Sequence, residues 1–326
     1  MSHPLPLLNA TDLSIGYGNH ILLSGLGLEL LPGQLVCFMG PNGVGKSTLI
    51  RTLAGLQKPV TGEIRFSNGD TRSVSVVLTD RFTSAYMTVY ELVAFGRYPY
   101  LGWNLKLSDE DKKTINRSLQ QVNISSLANT KLHELSDGQM QLTMIARALA
   151  QDTSVILLDE PTAHLDLNNR LEIMNLLREV SHSMNKAVLV ATHELDLALQ
   201  TADEIWLAGR NNELLRGIPE DLILNGAFDR IFKLKGFDLR TGQVAHSVSR
   251  EDTVHLLGSG FEYRWTKNAI ERIGYPLTEE NARFSVVIRR DVDGTLVWDV
   301  GNTHSFTTIG SLLAHLRQDQ TGKTIQ

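Results

Sequence analysis

An α/β fold, interrupted by a helical block and followed by a small α+β unit, is predicted by three features of this 326-residue chain. First, Gly40-Pro41-Asn42-Gly43-Val44-Gly45-Lys46-Ser47-Thr48 fits G-x-x-x-x-G-K-[ST]; the apolar run 35–39 reads as a buried strand ahead of it, and 48–54 has helical spacing behind it. Second, two more short apolar runs, 155–158 and 187–191, read as further buried strands. Third, the texture between 87 and 150 turns helical.

A single hydrophobic core usually stops growing at about 250 to 300 residues, so a main domain with an appended piece is expected. We place the main domain over 1–248, its helical subdomain over 86–150, and the accessory α+β unit over 249–326. The formal net charge of -5 offers no broad basic surface, so no nucleic-acid partner is expected. Cys37, the one cysteine, falls in a predicted buried strand, which excludes a disulfide framework within the chain and suits a reducing cytoplasm. Residues 1–10 lack the pattern of a secretory signal, and no stretch has the apolar length needed to span a bilayer. At a membrane the protein is expected to act as a peripheral subunit.

In chain order, residues 7–15 read as a strand, 16–20 as a turn, and Leu26, Leu28 and Leu30 alternate as a second strand that Pro32-Gly33 ends. Tyr17 is an aromatic on that turn, able to pack or to stack on an adenine ring. In the phosphate loop, glycines let successive backbone N–H groups turn inward around a phosphate chain, Lys46 supplies a point charge, and Ser47 offers a hydroxyl to Mg²⁺. Residues 63–66 and 73–78, flanking Asn68-Gly69, read as a pair of strands. Helical segments follow, with Val89, Leu92, Val93 and Phe95 on one stripe and an acidic helix start at Ser108-Asp109-Glu110-Asp111.

Leu135-Ser136-Asp137-Gly138-Gln139 precedes another helix. Ser136 and Gln139 have capping-box spacing, and the same helix start, with Gly138, can receive a phosphate on backbone N–H groups. The run 155–158 ends in Asp159-Glu160, where Asp159 can hold Mg²⁺ and Glu160 can orient and activate a water. A loop containing Asp166 leads into a helix, and the run 187–191 ends in Thr192-His193, within reach of a terminal phosphate.

In this order the stretches resemble the ATP-binding subunit of ABC transporters, a P-loop NTPase fold, over roughly residues 5–225. The resemblance implies that Tyr17 stacks on adenine and that Gly40, Pro41, Asn42, Gly43, Gly45, Lys46, Ser47 and Thr48 hold the phosphates of ATP. Asp159 would bind Mg²⁺, Glu160 would be the general base, and His193 would contact the γ-phosphate. Asp166 would communicate across a homodimer in which Ser136, Gly138 and Gln139 of one copy complete the site built on Lys46 of the other. The partners implied are integral membrane permease subunits and, indirectly, a solute-binding protein, with the ATPase on the cytoplasmic face of the cell membrane. Residues 91–100, Glu-Leu-Val-Ala-Phe-Gly-Arg-Tyr-Pro-Tyr, are similar to those of importers for ferric siderophores, haem or cobalamin. Importers of other small solutes or metal ions, and soluble ABC-type ATPases acting on nucleic acid or ribosomes, share the same ATP chemistry.

Two departures stand out. Where the family carries a glutamine after the strand at 73–78, this chain has Thr79 and Asp80, and one of their oxygens is expected to replace the amide as a Mg²⁺ or water contact. Asp137 stands where glycine is usual and is expected to serve the helix N-terminus rather than face phosphate. Past residue 219 a closing helix is expected, continuing over 228–244. The accessory unit reads as a strand at 253–257, a helix at 263–273, a hairpin from 284–289 to 296–300 and a last helix at 309–316; it is expected to stabilise the dimer, ahead of the alternatives of sensing the solute or simply covering an exposed face. Asp291 and Asp293 are read as turn formers, and His246, His255, His304 and His315 lack metal-site spacing.

Overall fold

The computed structural model describes residues 4–18, 20–67, 69, 73–79, 86–210, 212–232, 250–301 and 303–318, with the backbone of 237–238 and 243–244. The expected domain boundary at 248 and 249, together with Asp80 and His246, lies outside the described residues. The chain divides into two compact units, Met1–Lys233 and Leu234–Gln326.

The first unit opens with β1 (Leu8–Tyr17) and β2 (His20–Leu30), antiparallel from Leu8 opposite Leu30 to Tyr17 opposite His20, with register shifts between Ala10 and Gly16. Gly16 and Tyr17 thus belong to the strand rather than to the expected turn. Next come β3 (Leu35–Met39), α1 (Lys46–Leu53), β4 (Thr61–Phe66) and β5 (Val74–Val77). The expected pairing of the last two does not form. Strand β4 instead lies antiparallel along the free edge of β1, with Phe66 opposite Leu8, and β5 joins a different sheet. The edge of β1 lets Ile64 and Phe66 pack against the apolar residues of β1 and β2, which a local hairpin with β5 would not provide.

The helical block holds α2 (Val89–Ala94), a 3₁₀ segment at Phe95–Tyr100, α3 (Asp109–Gln121) and α4 (Asp137–Ala150). Each of the three α-helices starts on a capping box, Thr88 with Glu91, Ser108 with Asp111, and Ser136 with Gln139, which satisfies orphan N–H groups of the first turn. The apolar stripe of α2 ends at Val93, because the tighter winding that follows turns Phe95 to solvent. Hydrogen bonds from Ser108 and the Arg97 guanidinium pull the Asp111 carboxyl down to about 2.

Gly96 sits where that 3₁₀ segment crosses α4. A Cβ there would lie 2.3 Å from the Arg147 carbonyl oxygen and 3.0 Å from the Ala150 Cβ. The helix backbone cannot yield, so Gly96→Ala is expected to cost about 1–3 kcal/mol of stability. Thermal or denaturant unfolding of the full chain measures it, and an unchanged midpoint would contradict the contact.

The chain then returns through β6 (Val155–Asp159), α5 (Leu167–Met184), β7 (Ala187–Ala191), α6 (Leu195–Thr201), β8 (Glu204–Ala208), β9 (Leu214–Gly217), α7 (Pro219–Leu224) and α8 (Ala227–Phe232). A six-stranded sheet forms in the order β5-β6-β7-β3-β8-β9, parallel except for the edge strand β9. Its central strands β3, β6 and β7 are buried along their whole length. Cys37, fully buried on β3, has its thiol pushed up to about 12, by burial first and then by the Asp203 carboxylate. Register places Phe38 and Asp159 both opposite Ala191, so the C-terminal ends of these three strands meet at one edge of the sheet. Ligands of open α/β sheets bind at such an edge.

In the second unit, β10 (Phe237–Asp238) and β11 (Gln243–Val244) pair antiparallel, Phe237 opposite Val244, where a helix was expected to continue. Then β12 (Val254–Leu257), α9 (Gly260–Arg272), β13 (Phe284–Arg290), β14 (Leu296–Val300), β15 (His304–Phe306) and α10 (Ile309–Gln318) build a four-stranded sheet in sequence order. Its apolar core includes Val254, Ile270, Val286, Trp298, Leu312 and Leu316. Two buried polar groups have partners: Tyr275 donates from its hydroxyl to the Leu316 carbonyl at 2.6 Å, and the Trp298 indole donates to Thr266 Oγ1 at 2.8 Å. Asp291 and Asp293 accept from the backbone of Val292 and Thr295, as turn formers do. Among the described residues no helix is long and apolar enough to cross a membrane.

Candidate functional site

The phosphate loop leaves the end of β3 and enters α1 at Lys46. Gly45, at φ 109°, makes the reversal that starts the helix, and no other residue adopts that conformation without strain. Lys46 is nearly buried, and its Nζ donates to the Gly40 carbonyl at 3.1 Å, so the ammonium is already folded over the loop. Beside it lies a cavity of about 470 Å³ walled by the loop, Tyr17, Leu22 and Glu160. The Thr48 hydroxyl donates to Tyr17 Oη at 3.1 Å, which anchors the half-exposed ring at the mouth.

At the neighbouring strand ends, Ser47 donates to Asp159 Oδ1 at 3.1 Å. This couples a hydroxyl to a buried carboxylate at the foot of the loop, the hard-oxygen donor pair that a small divalent cation requires. The two residues fit Mg²⁺. Thr79 donates its hydroxyl to the Asp159 backbone carbonyl at 2.9 Å, so it ties the end of β5 to the residue carrying that carboxylate.

Glu160 follows directly with φ 50°, a left-handed conformation that is costly for a residue with a side chain. Its N–H donates to the Ala191 carbonyl at 2.8 Å, and its Oε2 lies 2.6 Å from His193 Nδ1. The side chains that follow β6 and β7 therefore meet, a contact that the sequence reading did not foresee. Asp166 caps α5, accepting from the Asn169 N–H at 2.9 Å.

Ser136, Gly138 and Gln139 do not line the phosphate-loop cavity. Ser136 accepts from the Gln139 N–H at 3.2 Å, and Gln139 Oε1 accepts from the Ser136 N–H at 3.0 Å, so both side chains close the helix start. Asp137 lies in the first turn of α4. Gly138 packs against Asn169, whose side chain donates to Asp166 at 3.0 Å.

Three residues escaped the sequence reading. Leu22 was hidden because it sits beside Leu23 in an apolar strand, although an apolar residue off the alternation is the available signal. Arg170 and Glu194 form an ion pair at 2.7 Å between two helix starts, with no local sequence signal to mark it.

A parallel sheet that brings a phosphate-gripping loop, a hard-oxygen pair and a carboxylate–imidazole pair to one edge defines a nucleoside triphosphatase. Residues 23–163 match the family described as ABC transporter, and residues 251–317 match the Iron ABC transporter C-terminal domain. An uncharacterized ABC transporter ATP-binding protein of Methanocaldococcus jannaschii is 38% identical over 239 residues, 70% of this chain and 82% of that protein. The petrobactin import ATP-binding protein FpuD of Bacillus anthracis is 34% identical over 237 residues, 70% of this chain and 87% of its own length. A solved ABC transporter assigned to the metal-chelate type, in an inward-facing conformation, superposes with a TM-score of 0.64 at 28% identity, covering 70% of this chain and 90% of that one. The chain belongs to the ATP-binding proteins of ABC transporters, and it is a nucleotide-binding transport ATPase.

Proposed function

We propose that the protein hydrolyses ATP to power an importer of ferric siderophores, haem or cobalamin, as a homodimer on permease subunits at the inner face of the cell membrane. The observation that carries the catalytic reading is the contact of Glu160 with His193 beside the phosphate loop. The iron-transporter match of the C-terminal unit and the petrobactin relative support the choice of solute.

The reaction is in-line attack of water on the γ-phosphate. Tyr17 stacks on the base. The loop from Gly40 to Thr48 holds the phosphate chain on backbone N–H groups, and Lys46 exchanges the Gly40 carbonyl for the outer phosphates. Glu160 takes the proton of the attacking water, and His193 hydrogen-bonds the γ-phosphate as charge develops on it. Ser47 and Asp159 would hold Mg²⁺, which supplies charge neutralisation between the outer phosphates when bound. The start of α4, which stands outside its own cavity, closes through Ser136, Gly138 and Gln139 on the nucleotide of the partner copy, and Asp166 lies at the same junction.

Isolating the tagged protein from native membranes in mild detergent and identifying what remains bound by mass spectrometry tests the assignment. A multi-spanning permease with a binding protein for iron chelates or cobalamin is the expected result. Ribosomal proteins or nucleic acid without a permease would overturn it.

A further inference from the structure

Both ring nitrogens of His193 face a carboxylate. Nδ1 lies 2.6 Å from Glu160 Oε2, and Nε2 lies 3.7 Å from Glu194 Oε1. Glu194 thus stands at the nitrogen that Glu160 leaves free, the one left for the γ-phosphate in the chemistry proposed above. What holds Glu194 back is Arg170, whose Nη1 reaches the same Glu194 oxygen at 2.7 Å. A charge-assisted pair of this length is stronger than a contact at 3.7 Å, so the carboxylate stays with the guanidinium. The second arm of Arg170 is also engaged, with Nε donating to the Leu165 carbonyl at 2.6 Å, one residue before the Asp166 cap of α5. The guanidinium is a rigid planar fork, so anchoring one arm on the loop backbone aims the other. The Glu194 side chain is 18% exposed, which limits the ability of water to replace the missing partner.

We propose that Arg170 is a positioning residue that keeps Glu194 off His193 Nε2, leaving that nitrogen to the γ-phosphate and tying its availability to the loop that precedes α5. The inference rests on the roles given to Glu160 and His193. Neither Arg170 nor Glu194 lines the phosphate-loop cavity, so their effect is on turnover rather than on nucleotide affinity.

Steady-state phosphate release by the full chain, read as separate kcat and KM, tests this. Arg170→Ala frees Glu194 to capture the imidazole, and kcat is expected to fall by about 10-fold to 10²-fold with KM little changed. In the Arg170→Ala/Glu194→Gln double variant the competing charge is gone, and kcat is expected to return to within about threefold of wild type. A packing role for Arg170 would give no such recovery. Should Arg170→Ala fail to fold, Arg170→Lys takes its place: it keeps a cation for Glu194 but loses the fork, and the expected result is a smaller fall in kcat that Glu194→Gln again reverses. Wild-type kcat in the arginine variant, or a loss that Glu194→Gln does not repair, overturns the proposal. Hydrolysis that survives Glu160→Gln with Arg170 and Glu194 unchanged would instead sink the underlying reading of the site.

Discussion

Glu160→Gln is expected to lower ATP turnover by about 10²-fold to 10⁴-fold while leaving nucleotide binding in place. The substitution keeps the shape of the side chain and removes its capacity to accept a proton. The backbone at this position is already committed to a left-handed conformation by the bond from its N–H to Ala191, so the amide will occupy the same place at the cavity wall. In the proposed mechanism binding depends on the loop and Lys46, whose bond to the Gly40 carbonyl does not involve Glu160. Phosphate release measured beside the affinity for a fluorescent ATP analogue separates the two effects. Turnover near that of wild type would remove Glu160 from the role of base.

Gly138→Asp is expected to lower hydrolysis by about 10³-fold by a different route. The new Cβ would sit 3.0–3.2 Å from the Asn169 side chain, which Asp166 holds in place, so the substituent has to turn outward at the start of α4. In the proposed homodimer that surface would meet the phosphates of the partner's nucleotide. Two like charges at 4 Å repel by roughly 4 kcal/mol at an effective dielectric of 20, which converts to a rate loss of about 10³-fold. Each copy should still bind ATP, because Gly138 does not line its own cavity. Sizing of the ATP-bound Glu160→Gln protein with and without Gly138→Asp reads the effect directly. Equal dimer content would show that the start of α4 meets no phosphate.

Features whose causes are local were legible in the sequence. The phosphate loop, the acidic helix start at Ser108, the capping box at Ser136 and the strand ending at Asp159 each depend on residues within one turn or one strand. Features set by distant partners were not. The place of β4 depends on the unpaired edge of β1, and Asn68-Gly69 suggested a hairpin that this edge outcompetes. The end of the stripe at Val93 reflects a change of winding that helical spacing does not record. Strand β15 is short and mostly exposed, without an apolar run to announce it. Arg170 and Glu194 look like ordinary surface charges until the chain brings the starts of α5 and α6 together.

Cys37 lies two residues from the end of the strand that carries the phosphate loop, with no exposed surface. Its thiolate population is negligible at neutral pH, and the thiolate is the form that oxidants, alkylating reagents and soft metals attack. Iron arriving in a cell brings the means of generating peroxide-derived oxidants, which convert accessible thiolates to sulfenic acid and beyond. At its proposed place beside an iron-chelate permease, the protein would therefore be shielded at its one sulfhydryl, on the strand that leads into the phosphate loop. The same shielding makes the wild-type sequence a silent background for thiol-directed spectroscopic labels, so probes can be installed at chosen surface positions without first removing a native cysteine.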